Sequence, residues 1–184
     1  KVQAAIQAGA DRLLSMQLPD GSFSYWPGGT DPAPWATAYA GMGLMLAAEK
    51  GANVPDSAIE SLKKNLIESL RGVATEKSAS ALEAHARALF VLAHGGSPQP
   101  AYQNILADRI ADLTPSARSL LAAAIATGNE GNSTNLAIAK SLLNSTVPFK
   151  LKNDEWMHWS AEEALNLIAW LAVEPKGPQP AKIL

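Results

Sequence analysis

Apolar residues recur at three- and four-residue spacings along most of the chain. Between 56 and 71, Ile59, Leu62, Leu66, Ile67 and Leu70 share one face, with Glu60, Lys63, Lys64 and Glu68 opposite, as in a helix with one side in a core. No stretch alternates with period two over a useful length. The same reading predicts eight helices, near 2–16, 35–50, 56–71, 79–94, 101–112, 115–127, 134–145 and 161–173. Thr114-Pro115 offers a capping hydroxyl before a proline whose missing N–H is not needed in a first turn, and Ser160-Ala161-Glu162-Glu163 reads as a capping box. Gly51, Gly72, Gly95-Gly96 and Gly128 read as stops.

The predicted helices alternate in character. Those starting near Trp35, Ala79, Pro115 and Ala161 are alanine-rich and nearly uncharged, whereas those between them carry a clear polar face. A helix apolar nearly all round is expected to be buried on both sides, and an amphipathic one to cover it and face water. Starts spaced 36 to 46 residues apart fit repeated helical hairpins. An α/α toroid is favoured over a solenoid, because a solenoid needs polar caps and neither end supplies one.

Composition supports an all-α fold: 34 Ala stand against 22 Val, Ile and Thr combined. The chain has 184 residues, which suits one domain, 1–184, with its own core. It opens at Lys1 without an initiator Met and is therefore expected to be an excised piece of a larger protein. No segment reaches the ~20 apolar residues that a bilayer span needs. Fifteen Lys and Arg against seventeen Asp and Glu, without a basic run, argue against nucleic acid as a partner. With no Cys, the chain has no disulfide, no thiolate metal site, no Cys nucleophile and no internal thioester.

The long loop from Gln17 to Pro34 is rich in Pro and Gly and carries Phe23, Tyr25 and Trp26. Such a cluster is expected to fold back over a core edge, with a binding role as the alternative. Trp156, Trp159 and Trp170 form a second aromatic group, with Trp170 expected in the core. His85 lies between Glu83 and Arg87 on a helix and is expected to be hydrogen-bonded or partly exposed. His94 sits at a helix end, where an imidazolium favours the negative end of the dipole. His158 has no second His at ligand spacing, so neither a metal nor any other cofactor is expected. Glu162 and Glu163 point about 100° apart on a helix, which does not suit the paired carboxylates of glycoside hydrolysis.

QLPDGSFSYW (Gln17 to Trp26) followed by PAPWATAYA (Pro32 to Ala40) resembles the thioester-containing domain of alpha-macroglobulins, especially the bacterial ones. In that family a Q-x-x-D-G-x-F loop leads to Trp-x-Thr-Ala-Tyr at the start of an inner helix, matched here by Gln17, Asp20, Gly21, Phe23, Trp35, Thr37 and Tyr39. Asp154-Glu155-Trp156 and then Ser160 to Leu171, including Glu163 and Trp170, is similar to a helix near the end of the same domain. Protein prenyltransferases and terpene cyclases, also α/α toroids, share the first motif. The two segments together favour the macroglobulins.

The resemblance implies a non-catalytic, structural domain of a large endopeptidase inhibitor of the cell envelope, periplasmic or extracellular. A protease cleaves such an inhibitor in a bait region and is trapped. The implied partners are those proteases and other domains of the same chain. Gln17, Asp20, Gly21, Phe23, Trp26, Trp35, Thr37, Tyr39, Trp156, Ser160, Glu163 and Trp170 would form its structural framework. The family's Cys-Gly-Glu-Gln thioester lies upstream of the Gln17 loop and is absent here. The His of complement-type members has no counterpart in Gly72 to Ser78. The toroid is expected to be incomplete, exposing inner faces through which the isolated piece would self-associate. Two alternatives stay open: an α/α-toroid enzyme (terpene cyclase, prenyltransferase or polysaccharide-active), disfavoured by the absence of an Asp-rich motif and of Cys, and a helical-repeat scaffold that binds a peptide.

Overall fold

The computed structural model describes residues 1–128, 132–149 and 162–175, with the side chains of residues 162 and 163 left aside. The described secondary structure is helical: α1 (Val2–Leu14), α2 (Pro34–Glu49), α3 (Asp56–Ser69), α4 (Ala79–His94), α5 (Pro100–Ala107), α6 (Pro115–Thr127), α7 (Ser133–Leu143) and α8 (Glu162–Val173), with short 3-10 turns at Leu70–Gly72 and Ile110–Asp112. Its one extended pairing is an isolated antiparallel bridge between Gln17 and Phe23. The eight helices foreseen from periodicity are therefore present. The fifth is shorter than expected, ending at Ala107 and resuming as a 3-10 turn. The interruption frees Arg109 to reach the carbonyl oxygens of Val73 and Glu76.

Local signals account for several helix ends. Thr114 Oγ1 accepts from the Ala117 amide at 2.9 Å, with Pro115 in the first turn of α6. Ser78 caps α4 through the Ala81 amide, and Asn132 caps α7 through the amides of Thr134 and Asn135. Beyond α2 and α4 the chain turns at Gly51 and Gly96, whose φ angles of 85° and 73° suit a residue without Cβ. The capping box proposed at Ser160 lies outside the described residues.

The chain forms two compact units, Lys1–Ser69 and Leu70–Leu184. In the first, α2 packs against α1 and α3. Its core includes Ala10, Phe23, Ala38, Leu44, Leu62 and Leu66. Gly41 lets α2 approach α3 closely, since a Cβ there would lie 2.6 Å from a Leu62 methyl carbon. In the second unit α6 is central, packed against α4, α5, α7 and α8. Every residue of α6 from Ser116 to Ala126 is buried. Its alanines allow neighbours in from all sides, as expected for an apolar helix.

Two other alanine-rich helices, α2 and α8, differ. In α2, Tyr39 and Leu46 are exposed, and in α8, Ile168 and Leu171 are exposed. Trp170, expected in the core, is half-buried. A nearly uniform apolar sequence can be buried all round but does not dictate which of its sides receives a neighbour. One side of α2 (Thr37, Ala38, Gly41, Leu44, Met45) is buried, and a Cβ at Gly43 would meet Leu13 of α1. Trp35, Tyr39, Met42 and Leu46, spaced four, three and four apart, form its remaining side.

Candidate functional site

The segment Met16–Ala33 is a folded clasp on α2 and α3. Its tip is a tight turn in which the Gly21 amide donates to Leu18 O at 2.9 Å and the Leu18 amide to Ser22 O at 2.8 Å. Gln17 Nε2 donates to Ala58 O at 2.9 Å, fastening the turn to the start of α3. Asp20 Oδ1 accepts from the Ser22 hydroxyl at 2.6 Å and the Ser22 amide at 3.0 Å. These two bonds, the hydroxyl foremost, hold the Asp20 carboxyl below its ordinary pKa. The motif Asp-Gly-Ser is thus an Asx turn closed by Gly21 at φ 86°.

Phe23 and Thr37 join the clasp to α2. The Phe23 amide donates to Thr37 Oγ1 at 3.0 Å, while the Thr37 hydroxyl donates to Ala33 O at 2.9 Å. The Ala33 amide in turn donates to Phe23 O at 2.8 Å. Phe23 is 1% exposed, so its ring lies in the core and its polar backbone is satisfied at both ends.

The clasp's other aromatics are not packed as expected. Tyr25 is 55% and Trp26 74% exposed. The reason is local: the Ser24 hydroxyl donates to Trp26 O at 2.7 Å, closing a turn whose side chains point outward. Trp35 and Tyr39, one helical turn apart on α2, stack with ring centroids 5.5 Å apart. The first unit therefore presents three exposed aromatics, Tyr25, Trp26 and Tyr39. Ser22 is buried and its partner Asp20 is a weakened base, so the Ser22–Asp20 pair does not make an activated nucleophile.

Three polar groups in the second unit escaped sequence reasoning. Glu83, 2% exposed, accepts from Arg87 NH2 at 3.3 Å and from the Thr114 hydroxyl at 2.8 Å, tying α4 to the start of α6. Arg109 donates to the carbonyl oxygens of Val73 (2.7 Å) and Glu76 (2.5 Å) and to Asp112 Oδ2 (2.9 Å). Arg118, 5% exposed, donates to Ile110 O and Val147 O, and burial lowers its pKa. The Glu83-x-x-x-Arg87 spacing signals a helical ion pair, but nothing local says that it is buried.

Arg109 also walls an open cleft of about 440 Å3 with Ala74, Thr75, Glu76, Lys77 and Asp112. The amides of Lys77 and Ser78 both donate to Glu76 Oε1 at 2.7 Å, and the bond from Ser78 is the chief reason that the Glu76 pKa falls. His85 is half-buried, as expected, and burial lowers its pKa. His94, at the end of α4, faces the Phe90 ring with centroids 6.5 Å apart. Among the described residues no group of three His, Asp or Glu side chains could hold a metal ion, and no helix is long and apolar enough to cross a membrane. Trp156, His158, Ser160 and the side chain of Glu163 lie outside the described residues.

No family model matches the chain. Among curated proteins, alpha-2-macroglobulin of Escherichia coli strain K12 is 37% identical over 71 residues, 39% of this chain and 4% of that protein. Over that stretch the two proteins are homologous. Solved structures extend the likeness at the level of fold. E. coli alpha-2-macroglobulin activated by porcine elastase matches 94% of this chain with a TM-score of 0.75 and 24% identity. The native E. coli protein from domain MG7 to the C-terminus matches 98%, with a TM-score of 0.76 and 23% identity. Salmonella alpha-2-macroglobulin reacted with methylamine matches 98%, with a TM-score of 0.76 and 24% identity. The chain spans 16%, 29% and 12% of those three chains respectively.

Proposed function

We propose that this chain is a non-catalytic helical portion of a bacterial alpha-macroglobulin-type endopeptidase inhibitor, corresponding to its thioester-containing domain. The observation that carries the reading is the concurrence of 37% identity over 71 residues with a fold likeness over 94–98% of the chain. In this reading the helical hairpins belong to an α/α toroid, and the parent is a protease trap of the periplasm or cell envelope. Gln17, Asp20, Gly21, Phe23 and Thr37 act as its structural framework, locking a clasp onto α2 and α3. Activation of the E. coli protein by elastase and by trypsin supports serine proteases as partners of the parent.

Methylamine treatment of the full-length parent tests the covalent form of this reading. A new thiol with a matching methylamine adduct is expected if a thioester lies upstream of Lys1. Incubation with elastase or trypsin tests trapping itself: a stable complex formed after limited cleavage supports the reading, and a protease left free overturns it.

A second reading, a peptide-binding helical scaffold, is favoured by one observation, the exposure of Tyr25 and Trp26. It predicts a partner whose binding is lost in Trp26→Ala while stability stays unchanged.

A further inference from the structure

The sequence contains two Asn-x-Ser/Thr tripeptides, Asn132-Ser133-Thr134 and Asn144-Ser145-Thr146, neither with proline in the middle. They bracket α7 and differ in geometry. Asn132, Ser133 and Thr134 are all exposed. As the cap of α7, Asn132 accepts from the amides of Thr134 at 3.0 Å and Asn135 at 3.2 Å, both through Oδ1. In a planar carboxamide this turns the oxygen toward the helix and leaves Nδ2 on the other side, with no hydrogen bond of its own among the described residues. At the other end, Asn144 Nδ2 donates to Lys140 O at 3.0 Å, and Ser145 is half-buried with its hydroxyl accepting from the Val147 amide.

We infer that Asn132 is an N-glycosylation acceptor whose donor is a glycosyl diphosphate, lipid-linked or nucleotide-linked. Nδ2 attacks the anomeric carbon of the donor, and the C–N bond forms as the bond from that carbon to the diphosphate oxygen breaks. The diphosphate-bearing carrier leaves with the electron pair, and the proton lost from Nδ2 passes to a base of the glycosyltransferase. Replacing one Nδ2 hydrogen by a sugar leaves Oδ1 in place, so the cap of α7 survives the modification. At Asn144 the nitrogen that would attack is already engaged with the Lys140 carbonyl. The inference does not depend on protease trapping.

The test uses the full-length parent purified from its own cells. Trypsin separates the two tripeptides onto the peptides Ser119–Lys140 and Ser141–Lys150. Mass spectrometry is expected to find a glycan on Ser119–Lys140, lost completely in Thr134→Ala, which removes the acceptor hydroxyl but keeps Asn132 and its cap. Asn132→Asp, which also keeps the capping oxygen, is expected to lose the glycan without a change in thermal midpoint. A single sugar extended stepwise identifies a nucleotide-linked donor, and a complete oligosaccharide without shorter forms identifies a lipid-linked one. A Ser119–Lys140 peptide found only at its unmodified mass overturns the inference, as does a modification that survives Thr134→Ala or a glycan confined to Ser141–Lys150.

Discussion

Gly21 lies so close to the backbone of Ser61 that a Cβ at its position would sit 2.1 Å from the Ser61 carbonyl oxygen. Its φ of 86° is itself unfavourable for any other residue. Gly21→Ala therefore meets both a strained dihedral and a backbone clash at the point where the clasp touches α3. The strain alone costs about 1–3 kcal/mol, and displacement of the clasp adds to it. Gly9→Ala, in the open interior of α1 with nothing within 4 Å of its added Cβ, is expected to stabilise the protein by about 0.5–1 kcal/mol. Urea denaturation of the two variants checks both signs. A Gly21→Ala protein of unchanged midpoint would show that the clasp is not held against α3.

Gly41 and Leu62 make the corresponding contact between helices. A Cβ on Gly41 would lie 2.6 Å and 2.8 Å from the two methyl carbons of Leu62, which is fully buried. Overpacking in Gly41→Ala is expected to cost about 1–3 kcal/mol, and the cavity in Leu62→Ala about 2–5 kcal/mol. Because one change removes the volume that the other adds, the double variant is expected to lose less than the sum. Additivity in a double-mutant cycle would mean that the two residues do not share this space.

The clasp aromatics divide sharply. Phe23→Ala removes a core ring and is expected to cost about 3–5 kcal/mol. Trp26→Ala, at 74% exposure, is expected to change stability by no more than about 0.5 kcal/mol. Thermal melts of the two proteins separate the packing residue from the surface one. A large loss in Trp26→Ala would remove the support that its exposure gives to a recognition role.

Helix positions were readable because their signals are local: Thr114-Pro115, the glycine stops and the period of Ile59 to Leu70 each involve residues a few positions apart. Asp20 and Gly21 were singled out only through resemblance; that they form an Asx turn with Ser22 emerges from the structure. Solvent-facing Tyr25 and Trp26 were not legible, since an aromatic cluster in a loop has the same sequence whether it packs inward or outward. The same holds for Tyr39 and Leu46 of α2, whose exposure depends on which neighbours the helix receives. Arg109, with carbonyl partners more than 30 residues away, carries no sequence signal at all.

The lowered pKa values of His85, Glu76 and Asp20 act in one direction at different pH. Burial, foremost, holds the His85 imidazole below its ordinary pKa, with Glu76 opposing and Arg109 reinforcing. The unfolded chain thus binds a proton at His85 more readily than the folded one. Stability is complete above the ordinary histidine range and declines as pH falls through it. Glu76 and Asp20, lowered by hydrogen bonds, hold their contributions above the ordinary carboxylate range and lose them only in stronger acid. The stability of the wild type relative to His85→Gln is expected to fall between about pH 8 and about pH 5. A pH-independent difference would show that His85 is no more buried than in the unfolded chain.

Glu83, Arg87 and Thr114 form the buried polar contact between α4 and α6. Both charged side chains are nearly inaccessible, at 3% for Glu83 and 7% for Arg87. Arg87→Met would leave Glu83 charged in the interior without that partner, at a cost of about 3–5 kcal/mol. Replacing both, as Glu83→Met with Arg87→Met, is expected to cost much less, because apolar side chains of similar volume avoid desolvating either charge. Thr114→Ala removes the cap of α6 and the hydroxyl bond to Glu83 together, for a loss of about 1–2 kcal/mol. A double variant as unstable as Arg87→Met alone would mean that the pair is needed for specificity of packing and not merely tolerated.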